Sequence, residues 1–170
     1  MQFNRNFLEL ENKYEGYAHF YTDGSKTSSI VGSAVYSDGF VLAQRLSCTA
    51  SIFTAELYGV LLALEYIITT KVKKAIIFVD SQSVVITLCS MRDTKNMLAK
   101  LVRSKINSCL KRGHAIKFCW VPSHVGIVSN EKADQLAASE HNLLETPRGI
   151  PFQDIKPLVR KALFQTWQCE

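Results

Sequence analysis

Four carboxylates, each inside its own short motif, are the residues best suited to act together: Asp23 in YTDGS, Glu56 in FTAELYG, Asp80 in IIFVDSQS and Asp134 in NEKADQLA. Each begins or ends a predicted element. A carboxylate at the carboxyl end of a buried strand, or early in a helix, faces the crevice where open α/β sheets bind ligands. Acids crowded there repel one another unless something neutralises them, and divalent cations that prefer oxygen do so best. Carboxylates holding Mg²⁺ are the usual protein share of a phosphoryl-transfer site. Taken singly, Asp134 reads equally well as a polar helix residue, and His124 as an ordinary surface histidine. Asp80 does not: ending the apolar AIIFV segment, it would be costly to bury without a partner or a metal. The constellation favours catalysis over a structural account.

These residues need elements to position them. Tyr17–Asp23, Ile30–Ser37 and Phe40–Ser47 are β-rich, and Asp38-Gly39 is a strong hairpin signal, so three antiparallel strands open the domain. From Phe53 to Thr70, Leu57, Val60, Leu61, Leu64, Ile67 and Ile68 recur at helical spacing. Ala75–Val79 then reads as a strand buried on both faces. Ser81 is a candidate cap for a helix to about Cys89, a basic helix covers Thr94–Arg112 until Gly113, and Ala115–Val121 is a fifth strand. Pro122 ends it, Ser123–Val128 is a loop, and Ser129 or Asn130 caps a helix carrying Asp134. The order is βββαβααβα: an α/β fold with a five-stranded mixed sheet, three antiparallel strands then two parallel additions, flanked by helices.

At 170 residues and 47% hydrophobic, the chain is long enough for one domain with a real core. Neither a run of about 18 apolar residues nor a signal-peptide pattern is present, so a soluble, intracellular protein without membrane partners is expected. Five cysteines without a CxxC pair suggest neither a disulfide framework nor a zinc site. Charge is uneven: Arg92–Arg112 holds seven basic residues against Asp93, a local balance of +6 that exceeds the net +5 of the whole chain. A solvated helix face explains such a stretch as well as a phosphate backbone does, until the acidic site is considered with it. An anionic substrate needs both metals and a basic grip.

YTDGS, TAELYG, FVDSQ, WVPSHVGI and NEKADQLA, in this order and spacing, resemble a type 1 ribonuclease H domain over roughly Tyr17–Glu140. The resemblance implies a ribonuclease H-like fold and Mg²⁺-dependent cleavage of the RNA strand of an RNA/DNA hybrid. It makes Asp23, Glu56, Asp80 and Asp134 the catalytic acids and His124 the mobile-loop histidine. Two Mg²⁺ ions about 3.5–4 Å apart, which Mn²⁺ can replace, would then act on an in-line displacement at phosphorus. Asp23 would bridge both, Glu56 and Asp80 would hold the ion nearer the leaving group, and Asp134 the one nearer the nucleophilic water. The products would be a 5′-phosphate and a 3′-hydroxyl. An imidazole at His124 would assist proton movement or product release. By the same resemblance, Gly24 and Ser25 lie where backbone approaches RNA 2′-hydroxyls, and Ser51 and Asn96 form a pocket for a DNA phosphate; for Asn96, helix capping is an equal alternative.

Two departures matter. Ile52 and Phe53 stand where the better-known cellular enzymes often have polar minor-groove readers, and Leu88–Asn96 is too short for the basic, tryptophan-bearing insertion of many relatives. The short connector, the ASIFTAEL run and the tail are similar to the ribonuclease H region of non-LTR retrotransposon polyproteins, which implies a covalently linked reverse transcriptase. The expected division is a leader over 1–16, a catalytic domain over 17–140 and a tail over 141–170. In that tail Phe152, Ile155, Leu158, Val159, Ala162, Leu163 and Trp167 fall at helical spacing, for docking on a neighbour or on the domain's own core. The rival readings are a catalytically silent nucleic-acid-binding scaffold of the same fold and a DNA transposase or integrase relative, which uses a different acidic set.

Overall fold

A computed structural model describes residues 2–139, 144–145 and 151–168. Its elements run α1 (Gln2–Lys13), β1 (Ala18–Lys26), β2 (Val31–Ser37), β3 (Phe40–Leu46), α2 (Ile52–Thr70), β4 (Lys74–Val79), α3 (Gln82–Cys89), α4 (Met97–Lys111), β5 (Ala115–Trp120), α5 (Val128–Ala138), β6 (Leu144–Glu145) and α6 (Phe152–Gln168). The five long strands lie in the order β3-β2-β1-β4-β5, antiparallel among the first three and parallel from β1 to β5. The two-residue β6 adds to the edge of β3, pairing Leu144 with Gln44, so the sheet has six strands where the sequence predicts five. Ser37 pairs directly with Phe40, leaving Asp38 and Gly39 as a two-residue turn with Gly39 at φ 78°.

Strand alternation sends Phe20, Ile77 and Val79 to one face and Tyr21, Ile76 and Phe78 to the other. The first face is covered by α2. This helix is apolar nearly all round and, although Glu56 and Glu65 interrupt its apolar run, is long and apolar enough by composition to cross a membrane, yet 67% of its apolar window is buried within the protein. It is a core helix: Leu57, Leu61, Leu64 and Ile67 are fully buried between the sheet and α4. Gly59 lets it come close, because a β-carbon there would stand 3.0 Å from the Ala34 carbonyl and 3.2 Å from the Ser33 hydroxyl and Thr22. Ser33 Oγ donates to the Ala55 carbonyl at 2.6 Å, tying β2 to the helix start.

The second face is covered by α5 and by α1, a helix formed by the stretch read as a leader. Phe7 of α1 is buried edge-on against Phe78 at 5.3 Å, Phe78 stacks on Tyr21 at 4.8 Å, and the Tyr21 hydroxyl donates to Glu11 at 2.7 Å. Burial and the Glu11 carboxylate push the Tyr21 phenol well above its ordinary range. At the other end of the chain α6 leaves Phe152, Leu158, Val159 and Phe164 exposed. The side chains of Ala162, Leu163 and Trp167, and the expected boundary at residue 140, lie outside the described residues.

Candidate active site

Thr22 pairs with Val79 in the parallel ladder between β1 and β4, so the residues that follow, Asp23 and Asp80, are neighbours on adjacent strands. By alternation both share the face of Tyr21 and Phe78, toward α5, which carries Asp134. Glu56 reaches them from the second turn of α2. The register therefore brings together carboxylates that are 33, 24 and 54 residues apart in sequence. Ligand atoms of Asp23, Glu56 and Asp80 lie within 4.8 Å of one another. Asp134 falls outside that tight group, but its charge, like that of Asp80, acts on the Asp23 carboxyl.

Gly24 makes this convergence possible. A β-carbon on it would stand 2.4 Å from the Glu56 nitrogen and 2.8 Å from the Ala55 carbonyl carbon, a distance that real β-carbons do not reach. Strand β1 and helix α2 thus meet backbone to backbone. The sequence reading made Gly24 a site of close approach to substrate; the close approach in the structure is to α2. Ser25, one residue on, is partly exposed on β1.

The electrostatics follow from this crowding. Asp23 and Glu56 are 5% and 8% exposed. Burial, then the charges of Asp23 and Asp80, push the Glu56 carboxyl from 4.5 up to about 10, against the lowering effect of the Gly24 N–H. Burial, followed by the charges of Asp80 and Asp134, likewise raises Asp23 far above the carboxylate range. Two buried oxygens, Glu56 Oε2 and Asp80 Oδ1, have no hydrogen-bond partner. Orphaned carboxylate oxygens beside other carboxylates are a costly arrangement that a hard divalent cation with oxygen ligands relieves, so the donor set fits Mg²⁺ or a similar ion.

Two residues hold Asp80 in place and were named in the sequence only as part of WVPSHVGI. Ser123 Oγ donates to Asp80 Oδ2 at 3.0 Å, leaving Oδ1 to the cluster, and Trp120 Nε1 donates to the Asp80 carbonyl at 3.0 Å. Neither has a signal in spacing, because both contacts cross from β5 and its following loop to the end of β4. His124 has a left-handed backbone at φ 55° and stands with Nδ1 3.7 Å from Asp134 Oδ2, its side chain 75% exposed. The histidine thus sits on a solvent-facing loop beside Asp134.

The cap of α5 differs from expectation. The helix starts at Val128 after Ile127 at the cap position, without a side-chain cap bond, and Asn130 is buried inside it. The Gly126 N–H is met instead by Glu131 Oε1 at 3.1 Å, a carboxylate in the first turn doing the work assigned to Ser129 or Asn130. Ser81 occupies the cap position of α3, but its hydroxyl bonds Ser83.

Ser51 and Asn96 are both helix caps. Ser51 Oγ accepts from the Thr54 N–H at the start of α2, and Asn96 Oδ1 accepts from the Ala99 N–H at the start of α4. They bring the first turns of two helices to the same side of the domain, about 7.5 Å of helix away from Glu56 along α2. Lys26 fastens the loop before α2 by donating to the Ala50 and Cys48 carbonyls. The basic stretch is partly committed to structure: Arg103 clamps the α3–α4 connector through the Thr87 and Arg92 carbonyls, Lys105 pairs with Glu65 at 3.7 Å, and Lys100 pairs with Asp93 at 3.4 Å.

Residues 15–142 match the RNase H family. Among solved structures the chain is similar to RNase H1 from the halophilic archaeon Halobacterium salinarum NRC-1, at 23% identity and a TM-score of 0.55, over 71% of this chain and 94% of that one. At that identity the likeness speaks for the fold alone. No curated protein matches. The family match takes in every strand from β1 to β5 and all four acids, and on that span the chain belongs to the RNase H family.

Proposed function

We propose that the chain is an Mg²⁺-dependent endonuclease that hydrolyses the RNA strand of RNA/DNA hybrids to 5′-phosphate and 3′-hydroxyl ends. The observation that carries this is the convergence of Asp23, Glu56 and Asp80 with two carboxylate oxygens buried and unpartnered. Asp23, Glu56 and Asp80, with Asp134 beside them, would hold the ions, Asp23 lying between the charges of Asp80 and Asp134. When bound, such ions supply charge neutralisation and Lewis-acid polarisation at a phosphoryl oxygen. The rest is done by the chain. Gly24 fixes the spacing of Asp23 and Glu56, Ser123 and Trp120 fix the orientation of Asp80, and His124 moves protons between Asp134 and solvent. Gly24 and Ser25, at the end of β1, present backbone and hydroxyl to the RNA 2′-hydroxyls, and Ser51 and Asn96, at two helix starts, take a phosphate of the DNA strand.

The finer setting we propose is the ribonuclease H of a retrotransposon polyprotein, joined to a reverse transcriptase. It is supported by the ASIFTAEL run and by the short Ser90–Asn96 connector between α3 and α4, which has no room for an extra basic helix. A partner domain would then supply grip that the short connector does not.

The test is cleavage of end-labelled RNA in a hybrid with Mg²⁺, beside DNA and RNA duplexes, with Asp80→Asn as control. Hybrid-only cutting that is lost in Asp80→Asn is the expected result. Equal cutting of duplex DNA, or undiminished cutting by the variant, would refute it.

A further inference from the structure

The acidic cluster is not the only place where a carboxylate takes an unusual partner. Asp154, in the first turn of α6, reaches the start of α2 from about a hundred residues away in sequence: its Oδ2 accepts from the Ser51 N–H at 3.1 Å and from Thr54 Oγ1 at 2.6 Å. Next to it Gln153 Nε2 donates to the Lys95 carbonyl, one residue before the cap of α4. Pro151 and Phe152 close over an apolar hollow of 360 Å³ bordered by Leu46, Tyr58, Met97 and Leu101. Beyond that turn, among the described side chains, α6 leaves Leu158 and Val159 about half exposed and Phe164 exposed.

The donors that Asp154 engages are not specific to a carboxylate. An N–H at a helix start, backed by the helix dipole and joined by a hydroxyl, receives any oxyanion, and phosphate is the commonest. We infer that Asp154 is an intramolecular stand-in for a nucleic-acid phosphate, and that α6 is a strap that hybrid must displace from the starts of α2 and α4. This rests on the reading of the acidic cluster as a hybrid-cleaving site. The seat is about 7.5 Å of helix from Glu56, so a duplex lying across the cluster covers it, and substrate and strap cannot both occupy it. A strap held by one acid and one amide is removable.

The experiment compares hybrid binding by fluorescence anisotropy at several salt concentrations, using the full chain in an Asp80→Asn background that leaves substrate uncut, with Asp154 intact, Asp154→Asn or Asp154→Ala. Releasing the strap should tighten binding roughly 5–10-fold while leaving the logarithmic salt dependence nearly unchanged, because hybrid makes the same phosphate contacts once α6 is displaced. Asp154→Asn, which keeps shape and loses charge, should fall between. Hydrogen exchange along α6 should quicken when hybrid is added to the chain with Asp154 intact. Unchanged or weaker binding, together with unaltered exchange along α6, would overturn the strap and leave Asp154 a structural cap. Should the unmutated chain neither bind nor cut hybrid, the functional reading falls and the strap with it; cutting with unchanged Asp154→Ala binding removes the strap alone.

Discussion

Replacing Glu56 by glutamine should stabilise the metal-free protein at neutral pH. Glu56 is 8% exposed, its Oε2 lacks a partner, and its carboxyl is raised from 4.5 to about 10 by burial and by the charges of Asp23 and Asp80. A raised value means that between those pH limits the folded chain holds a proton that the unfolded chain has released. The group's contribution is therefore fully present below pH 4.5, shrinks as pH rises, and is exhausted near pH 10. At pH 7 the loss spans about 2.5 pH units, or about 3 kcal/mol. Glutamine has the same shape and no proton to lose, but its amide must still find partners, so a net gain of about 2 kcal/mol is expected. The assay is urea denaturation in chelator from pH 5 to pH 9. The wild-type curve should fall with pH, the Glu56→Gln curve should fall less, and the gap should widen upward. Added Mg²⁺ should stabilise the wild type more than the variant, because only the wild type offers the full carboxylate set. A variant less stable than wild type in chelator at pH 8, or two parallel pH profiles, would refute the reasoning.

Two further substitutions separate the parts of the site. Ser123→Ala removes the hydroxyl that orients Asp80, and should raise the Mg²⁺ midpoint, read by calorimetry as well as by cleavage, on the order of tenfold, with Ser123→Thr restoring it; an unchanged midpoint would make the bond incidental. Gly24→Ala puts a β-carbon 2.4 Å from the Glu56 nitrogen, and should cost about 3 kcal/mol or more in urea denaturation while lowering metal affinity, since α2 has to shift; a mild loss with normal metal binding would mean that α2 is free to move.

The elements that the sequence made legible are those with strong local signals. The hairpin at Asp38-Gly39, the helical spacing from Leu57 to Ile68 and the apolar Ala75–Val79 run depend on neighbours in sequence, and the structure places each within a residue or two of expectation. The long-range features were hidden for the same reason. Helix α1 looked like a polar leader; among the described side chains Phe7 and Leu10, with Tyr14 just past its end, pack on the Tyr21–Phe78 surface, and its value lies in covering it. Strand β6 is two residues whose partner lies about a hundred positions earlier. At the site the acids were readable from motif and element position, whereas Ser123 and Trp120 act through contacts with Asp80 that no periodicity records. Asn96 shows both sides: an amide before a helix was read as either phosphate ligand or cap, and it does cap α4, which leaves the phosphate reading a matter for substrate binding.

Because β1 and α2 touch through backbone at Gly24 and Glu56, the span between Asp23 and Glu56 is not set by how side chains fill the core. The interior can therefore drift in composition, trading leucine for isoleucine or methionine beneath α2, without retuning the ion site. The junction behaves as a fixed bearing rather than a cushioned joint. Divergent descendants of this chain can change their cores freely and keep their chemistry, provided that one hydrogen atom stays where any other residue would place a carbon.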